Sequence, residues 1–331
     1  MAFSGPRHVL LVAQAGRLEY EALILMASLR RASPDWSGQV IIAEPLPEGA
    51  WAGHETRLST AGRDLLTGLG AMILPFTARV FGASYPQGNK IEALSVLPPN
   101  EPFLFLDSDT LITGPLNTLP HDDLRPAASM RRSATWPVPP PYGPGYTGIW
   151  RSLYDRFGLD FDSSLDLSHP DEHWERYLYF NAGWFTGTDA AEFGRRYLDW
   201  AQQIRDTPHD ALACQVLDPW LDQIVLPLVI HSLGGGRPGP ALAGLDGDLT
   251  FHYRKLPLLY STGSDEQITH LEDSVADRAI KRHLKTWLPA RKLVYQRKGR
   301  QKLRPIFAGQ RLPLGEKVIR RRIRKSGWWL V

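Results

Sequence analysis

The chain has a single cysteine, Cys214, in 331 residues, so no internal disulfide can form and the composition points to a reducing compartment. No apolar run approaches the roughly 18 residues that a membrane-spanning helix requires. "HVLLVA" at residues 8–13 leads into Ala13-Gln14-Ala15, a triplet resembling a leader cleavage site. That run is shorter than the roughly 7–15 residues of a signal-peptide core and serves better as a first buried strand. We therefore expect a cytoplasmic protein. A P-loop is missing as well: Gly234-Gly235-Gly236 has no following Lys-Ser/Thr and reads as a flexible turn. "AQAGRLEY" after the first strand is too poor in glycine for the phosphate loop of a nucleotidyltransferase. Acidic residues are almost absent from the end of the chain, where residues 281–331 hold 17 Lys/Arg and only Glu316. The first 280 residues hold the other 34 acids against 21 bases, so an acidic body carries a strongly basic tail.

What is present is the stuff of an ordinary globular protein, 43% hydrophobic and 22% charged, with a length that suits one large domain plus extensions. Strand patterns at "HVLLVA", "QVIIAE", "AMILPF" (71–76) and "PFLFL" alternate with helical stretches at 18–31, 56–68 and 88–97. That alternation predicts an α/β fold with a mostly parallel sheet flanked by helices, and ligands beyond the carboxyl ends of its strands. From about 120 to 180 the rhythm breaks. "TWPVPPPYGPGYTGIW" predicts a long ordered loop, neither regular helix nor central strand. Order returns with a strand at 177–187, then a helix capped by Asp189 in capping-box fashion with Glu192. A further helix is expected with Asp218 as N-cap and Pro219 at its first position, disturbed at Pro227, and a last strand-like piece at 249–256.

"FLFLDSDTLITGPL" (103–116) places Asp107 and Asp109 one residue apart where a buried strand ends. Crowded carboxylates raise each other's pKa unless a cation lies between them. A hard divalent ion takes few protein oxygens and fills its shell with phosphate and water, so the pattern suits a metal–diphosphate site. Taken alone, such a pair is more often two solvated turn acids or a cap. The buried strand before it and the sheet behind it weigh towards the metal.

These segments resemble the nucleotide-sugar-dependent glycosyltransferases of the GT-A fold, particularly family 8 and its bacterial relatives. "HVLLVAQAGRLEYEALILMASLRR" is similar to the family's opening strand, nucleotide loop and first helix. "FLFLDSDTLITGPL" is similar to its D-x-D strand, "YFNAGWFTG" to its F-N-A/S-G strand, "PWLDQIVL" to its D-Q helix, and "FHYRKL" to its late metal-binding segment. The resemblance covers about residues 8–260. It implies a divalent metal, Mn²⁺ or Mg²⁺, held by Asp107, Asp109 and His252. It implies a nucleotide-sugar donor, UDP-sugar by likeness, contacted by Tyr20, Lys90, Asp107, Ser108, Asn181, Ala182, Gly183 and Lys255. Asp222 and Gln223 would face the reacting sugar: Asp222 as base if the reaction inverts, Gln223 near the reacting carbon if it retains. The first loop reads Gln14-Ala15-Gly16-Arg17 where the family often carries acids. The pattern H-x-x-G-x-x-K-P-W is kept only as His252, Lys255 and Pro257 at shortened spacing.

Trp136, Tyr142, Tyr146, Trp150 and Trp174 would offer flat rings to an acceptor glycan or glycolipid, or else pack the core. A phosphotransferase of the haloacid-dehalogenase type would want Thr or Val at position 111, which is Leu. A catalytically silent sugar-nucleotide or glycan-binding relative is the alternative function. The expected boundaries are a catalytic domain at 1–280, divided into a nucleotide-sugar half (1–119) and an acceptor half (120–280), and a basic extension at 281–331. That extension, mostly surface, could bind an anionic membrane with Trp328, Trp329 and Leu330 at the interface, or nucleic acid, or the acidic body. An enzyme working on lipid-linked glycans favours the membrane, at its inner face, over nucleic acid.

Overall fold

The structure is a computed structural model that describes residues 6–120, 125–132, 135–309 and 315–331. Its first half runs β1 (His8–Val12), α1 (Arg17–Ala32), β2 (Gln39–Pro45), α2 (Thr60–Gly68), β3 (Ala71–Phe76), α3 (Asn89–Glu92) and β4 (Phe103–Leu106). Next come β5 (Thr110–Ile112), β6 (Ala127–Ser129), α4 (Tyr146–Arg156), β7 (Asn181–Gly187), α5 (Ala190–Asp206), α6 (Leu221–Ser232), β8 (Thr250–His252) and α7 (Leu256–Thr262). The chain closes with α8 (Asp265–Ser274), α9 (Arg278–Leu284), α10 (Leu288–Ala290) and α11 (Glu316–Lys325).

Six strands form the central sheet in the order β3-β2-β1-β4-β7-β6. The first four are mutually parallel, whereas β7 runs antiparallel to both β4 and β6. Alternation along the central strands gives each face its own core. Val9, Leu11, Leu104 and Leu106 point to one side and pack with α1, while Leu10, Val12, Phe103 and Phe105 point to the other and pack with α5 and α6. Strands covered on both faces must read as continuous apolar runs, which is why "HVLLV" and "FLFL" do not alternate with polar residues. Phe105 stacks on Phe185 of β7 at 4.6 Å between centroids, tying the antiparallel neighbour to the parallel core.

Two consequences of this topology build the site. Because β7 is antiparallel it starts where β4 ends, and the Asp107 amide donates to the Gly183 carbonyl at 2.8 Å. Because β5 and β8 form a separate antiparallel pair with Thr110 opposite His252, the imidazole is delivered beside the acidic turn.

Several expectations are corrected. The 120–180 region is not all loop. Once Pro144 is passed, α4 forms, its first amides of Tyr146 and Thr147 donating to the Glu172 carboxylate, with Ile149, Trp150, Leu153 and Tyr154 buried in one stripe. Asp218 does not cap a helix, because α6 begins at Leu221 after a cis Asp218–Pro219 bond, and it continues through Pro227. The late strand is only three residues long, for Arg254 turns the chain with φ +61° into α7. Asp189 caps α5 as expected, but Glu192 engages Arg195 and Arg196 instead of completing a box.

The basic extension is mostly surface, as expected, but it is not a separate segment. Leu284, Ala290, Leu293 and Leu303 and, on α11, Ile319 and Ile323 are buried in the core that contains α1. Polar contacts accompany the packing: His283 meets Glu19 at 2.8 Å, Arg300 meets Glu272 at 2.8 Å and Arg304 meets Asp265 at 2.9 Å. Of the three fates read for the tail, docking on the acidic body is therefore realised. No helix among the described residues is long and apolar enough to cross a membrane.

Candidate active site

The carboxyl end of β4 gathers the ionisable groups. His252 Nε2 lies 3.0 Å from Asp109 Oδ1 and 3.7 Å from Asp107 Oδ2, and one ligand atom from each of the three residues falls within 4.8 Å of the others. The backbone fixes the trio, because the Tyr253 amide donates to the Asp109 carbonyl at 3.0 Å. Gly183 lies against the ring: a Cβ there would come within 2.2 Å of His252 Nδ1, so only glycine lets the imidazole reach this position. Two carboxylates and an imidazole form a donor set of the kind a hard or borderline divalent ion accepts, and these residues fit such an ion.

Cations surround the carboxylates. Lys90 Nζ reaches Asp107 Oδ1 at 2.9 Å, Asp222 Oδ2 at 3.4 Å and the Ala182 carbonyl at 3.1 Å. Burial alone would lower the Lys90 ammonium, yet the Asp107 and Asp222 charges outweigh it and hold the pKa raised. Arg17 Nη1 sits 3.4 Å from Asp109 Oδ2 and 2.7 Å from Glu21. Burial works against the Asp109 anion, but His252, Arg17 and Lys90 together hold its carboxyl down at about 2.

Asp222 is 2% exposed and both its oxygens are taken, Oδ1 by the Tyr85 hydroxyl at 2.8 Å and Oδ2 by Lys90. Burial pushes its carboxyl up against the pull of Lys90. Gln223, next in the chain, accepts a bond from Tyr179 at 3.1 Å. Asn181 folds its carboxamide back, accepting from the Gly183 amide at 2.9 Å and donating to the Arg131 carbonyl at 3.1 Å. Ser108 is buried within the turn. Lys255 stands at the N-cap position of α7 without a side-chain capping bond, and burial with the nearby Arg17 lowers its pKa.

Two cavities flank the trio. One of about 220 Å³ is walled by Val12, Arg17, Lys90, Phe105 and the acidic turn. The other, about 610 Å³, lies on the His252 side between the end of β6, the β8–α7 turn and α11. Tyr20 borders neither. Its ring stacks on Trp287 at 5.5 Å and its hydroxyl meets Thr286 at 3.0 Å, so the structure places it against the extension. Among the expected aromatic platform, Trp136 and Trp150 are core residues packed edge to face, whereas Tyr142 is fully exposed and Trp174 stacks under Arg132.

The first two thirds of the chain, which carry the acidic turn, Lys90 and Gly183, match a family model. The model of the Rhodobacterales glycosyltransferase domain covers residues 9–234. This chain belongs to that family. It is a glycosyltransferase, and its mainly parallel, helix-flanked sheet ending in D-x-D is of GT-A type. Solved glycosyltransferases match more distantly. The galactosyltransferase LgtC, solved with donor and acceptor sugar analogues, shares 15% identity over 68% of this chain and 71% of its own, with a TM-score of 0.38. GlyE of Streptococcus pneumoniae TIGR4 shares 15% over 87% and 65%, with a TM-score of 0.43. The bifunctional WbbM shares 14% over 85% and 52%, also at 0.43. No curated protein matches the chain.

In this glycosyltransferase several neighbours of the site escaped the reading of the sequence. Arg17 was legible only as part of an atypical loop, Tyr85 stands in a turn with no motif, and Arg131 and Arg132 follow a three-residue strand in a region read as loop. A lone arginine carries no spacing signal, and only the folded arrangement shows what it faces.

Proposed function

We propose that the enzyme transfers a sugar from a nucleoside-diphosphate sugar, UDP-sugar by family likeness, to a hydroxyl of a glycan or lipid-linked acceptor. The observation that carries this is the convergence of Asp107, Asp109 and His252 within 4.8 Å of each other, with the largely covered Lys90 beside them. These three residues would hold Mn²⁺ or Mg²⁺, which when bound supplies positive charge for the departing diphosphate. The chain's own cation for that charge is Lys90, pre-positioned by Asp107 and Asp222 so that little reorganisation is needed as the anomeric C–O bond breaks. The acceptor hydroxyl forms the new C–O bond as the bond to the diphosphate breaks, and its proton passes to the departing diphosphate oxygen. With both oxygens engaged, Asp222 is suited to hold Lys90 rather than to take that proton, which favours the retaining route with Gln223 beside the reacting carbon.

Ser108, Asn181, Ala182, Gly183 and Lys255 are the proposed donor contacts; Tyr20, held against Trp287 and Thr286, is not among them. The basic face of α11, with exposed Lys317, Arg321 and Arg324, would rest on an anionic membrane surface at the inner leaflet. The test is donor hydrolysis and transfer with and without Mn²⁺ in wild type and Asp109→Ala. We expect turnover to fall roughly 10²–10³-fold in the variant and on chelation. Tight UDP-sugar binding with no nucleotide release in the wild type would instead identify a silent relative.

A further inference from the structure

The cavity on the His252 side is lined by cations that the mechanism above does not use. Arg132 Nη1 is buried with no hydrogen-bond partner. Its guanidinium is clamped 4.6 Å above the Trp174 ring and 5.8 Å from Tyr179, so it is held in place while Nη1 stays unsatisfied. Burial lowers its pKa only to about 10, which leaves it charged at neutral pH. Arg131 reaches over Phe251 at 5.8 Å, and neither arginine has an ion pair among the described residues.

The acids on the cavity wall are already committed. Asp246 accepts from Ser129 Oγ at 2.5 Å, from the Met130 amide at 3.0 Å and from Trp184 Nε1 at 2.8 Å. Glu316 of α11 is shared between Arg254 and Arg320. A fixed guanidinium whose Nη1 is buried without a hydrogen bond, and on which Glu175 acts only through space, is costly unless something anionic completes it.

We infer that this cavity takes an acceptor bearing an anionic group, a carboxylate or a phosphate on a sugar, which Arg132 receives with Arg131 alongside. The inference rests on the reading of the site as a sugar-transfer centre and adds the chemical class of the acceptor. A planar guanidinium with two N–H groups on one edge suits either anion in bidentate fashion. Arg254, held at φ +61° two residues after His252 and tied to α11 through Glu316, makes the extension part of the cavity wall.

The test titrates the full-length protein, with Mg²⁺ and saturating UDP, using three sugars alike except at carbon 6: methyl glucoside, methyl glucuronide and methyl glucoside 6-phosphate. Ligand-observed NMR reads each affinity. We expect at least one anionic sugar to bind about tenfold more tightly than the neutral one while UDP stays bound. Arg132→Gln abolishes the preference, Arg132→Lys keeps part of it, and thermal melts check that both variants fold. Whichever anion binds better tells carboxylate from phosphate. Equal affinity for all three sugars, or a preference that survives in both Arg132→Gln and Arg131→Gln, overturns the inference. Displacement of the anionic sugars by UDP overturns it too, since the arginines would then serve the donor, and the transfer reading would stand. Anionic sugars binding through Arg132 where UDP never binds would sink the donor reading instead.

Discussion

The two cavities beside Asp107, Asp109 and His252 are made by different parts of the chain under different constraints. The smaller is walled by the first hundred residues and the acidic turn, where side chains such as Val12 and Phe105 belong to strands buried on both faces. The larger is assembled from short pieces far apart in sequence, namely Arg131 and Arg132 after β6, the β8–α7 turn, and α11. The sheet side has little freedom to vary where strand residues such as Val12 and Phe105 also pack the core. The other side hangs on turns and an extension, where charge can change without unfolding the domain. A scaffold divided this way keeps its bond-breaking chemistry fixed and tunes what it accepts.

The sharpest way to break that contrast is to loosen the extension. Ile323 is fully buried on α11, so Ile323→Ala should lower stability by about 3 kcal/mol in urea unfolding. In the same variant UDP affinity should hold while acceptor use falls. If stability is unchanged, α11 is no part of the fold and the larger cavity loses a wall.

Gly183→Ala attacks the junction of the two cavities. The added methyl would overlap the His252 ring, so the imidazole must turn away from Asp109. Misplacing one such group by about 1 Å typically costs roughly 10²-fold, which is the loss of transfer we expect, with Mn²⁺ affinity falling in parallel. Full activity would show that His252 is dispensable.

How far the sequence revealed the two sides follows the same division. The smaller cavity was readable because "HVLLV" and "FLFL" announce strands covered on both faces, and Asp107-Ser108-Asp109 sits at the end of one. Asn181 to Gly183 and His252 were found through segments of fixed local pattern. The larger cavity was not, since its arginines carry no periodicity and its helix lies in a stretch whose charge reads as surface. Seventeen basic residues in 281–331 mask the sparse apolar positions, Leu284, Leu293, Ile319 and Ile323 among them, that bury the extension. The antiparallel entry of β7 was also hidden, because strand direction is set by where a long excursion returns and not by the strand's own residues.

A pH measurement separates the charged trio from the walls. The Asp109 carboxyl is held at about 2 against an ordinary 3.8, so its ionised form is favoured in the folded state. A depressed carboxyl adds stability that is complete above about pH 4 and is lost as pH falls towards 2. Metal-free wild type should therefore lose roughly 2 kcal/mol more over that window than Asp109→Asn. Parallel acid curves for the two proteins would mean that His252, Arg17 and Lys90 do not act on Asp109 as the distances indicate.

The smallest effect we expect distinguishes the family pattern from this particular chain. By resemblance Tyr20 stacks on the donor base, but here its ring lies parallel to Trp287, 2° between planes, and its hydroxyl meets Thr286. Both partners belong to the extension, so the residue joins α1 to the tail and stands outside both cavities. Tyr20→Ala should then leave UDP affinity within about twofold, since a base-stacking ring would be worth considerably more. The signal to look for is faster amide exchange around residues 283–287, where the stacked pair and the hydrogen bond are lost. A tenfold drop in UDP affinity with exchange unchanged would return Tyr20 to the donor and show that the extension moves aside when nucleotide binds.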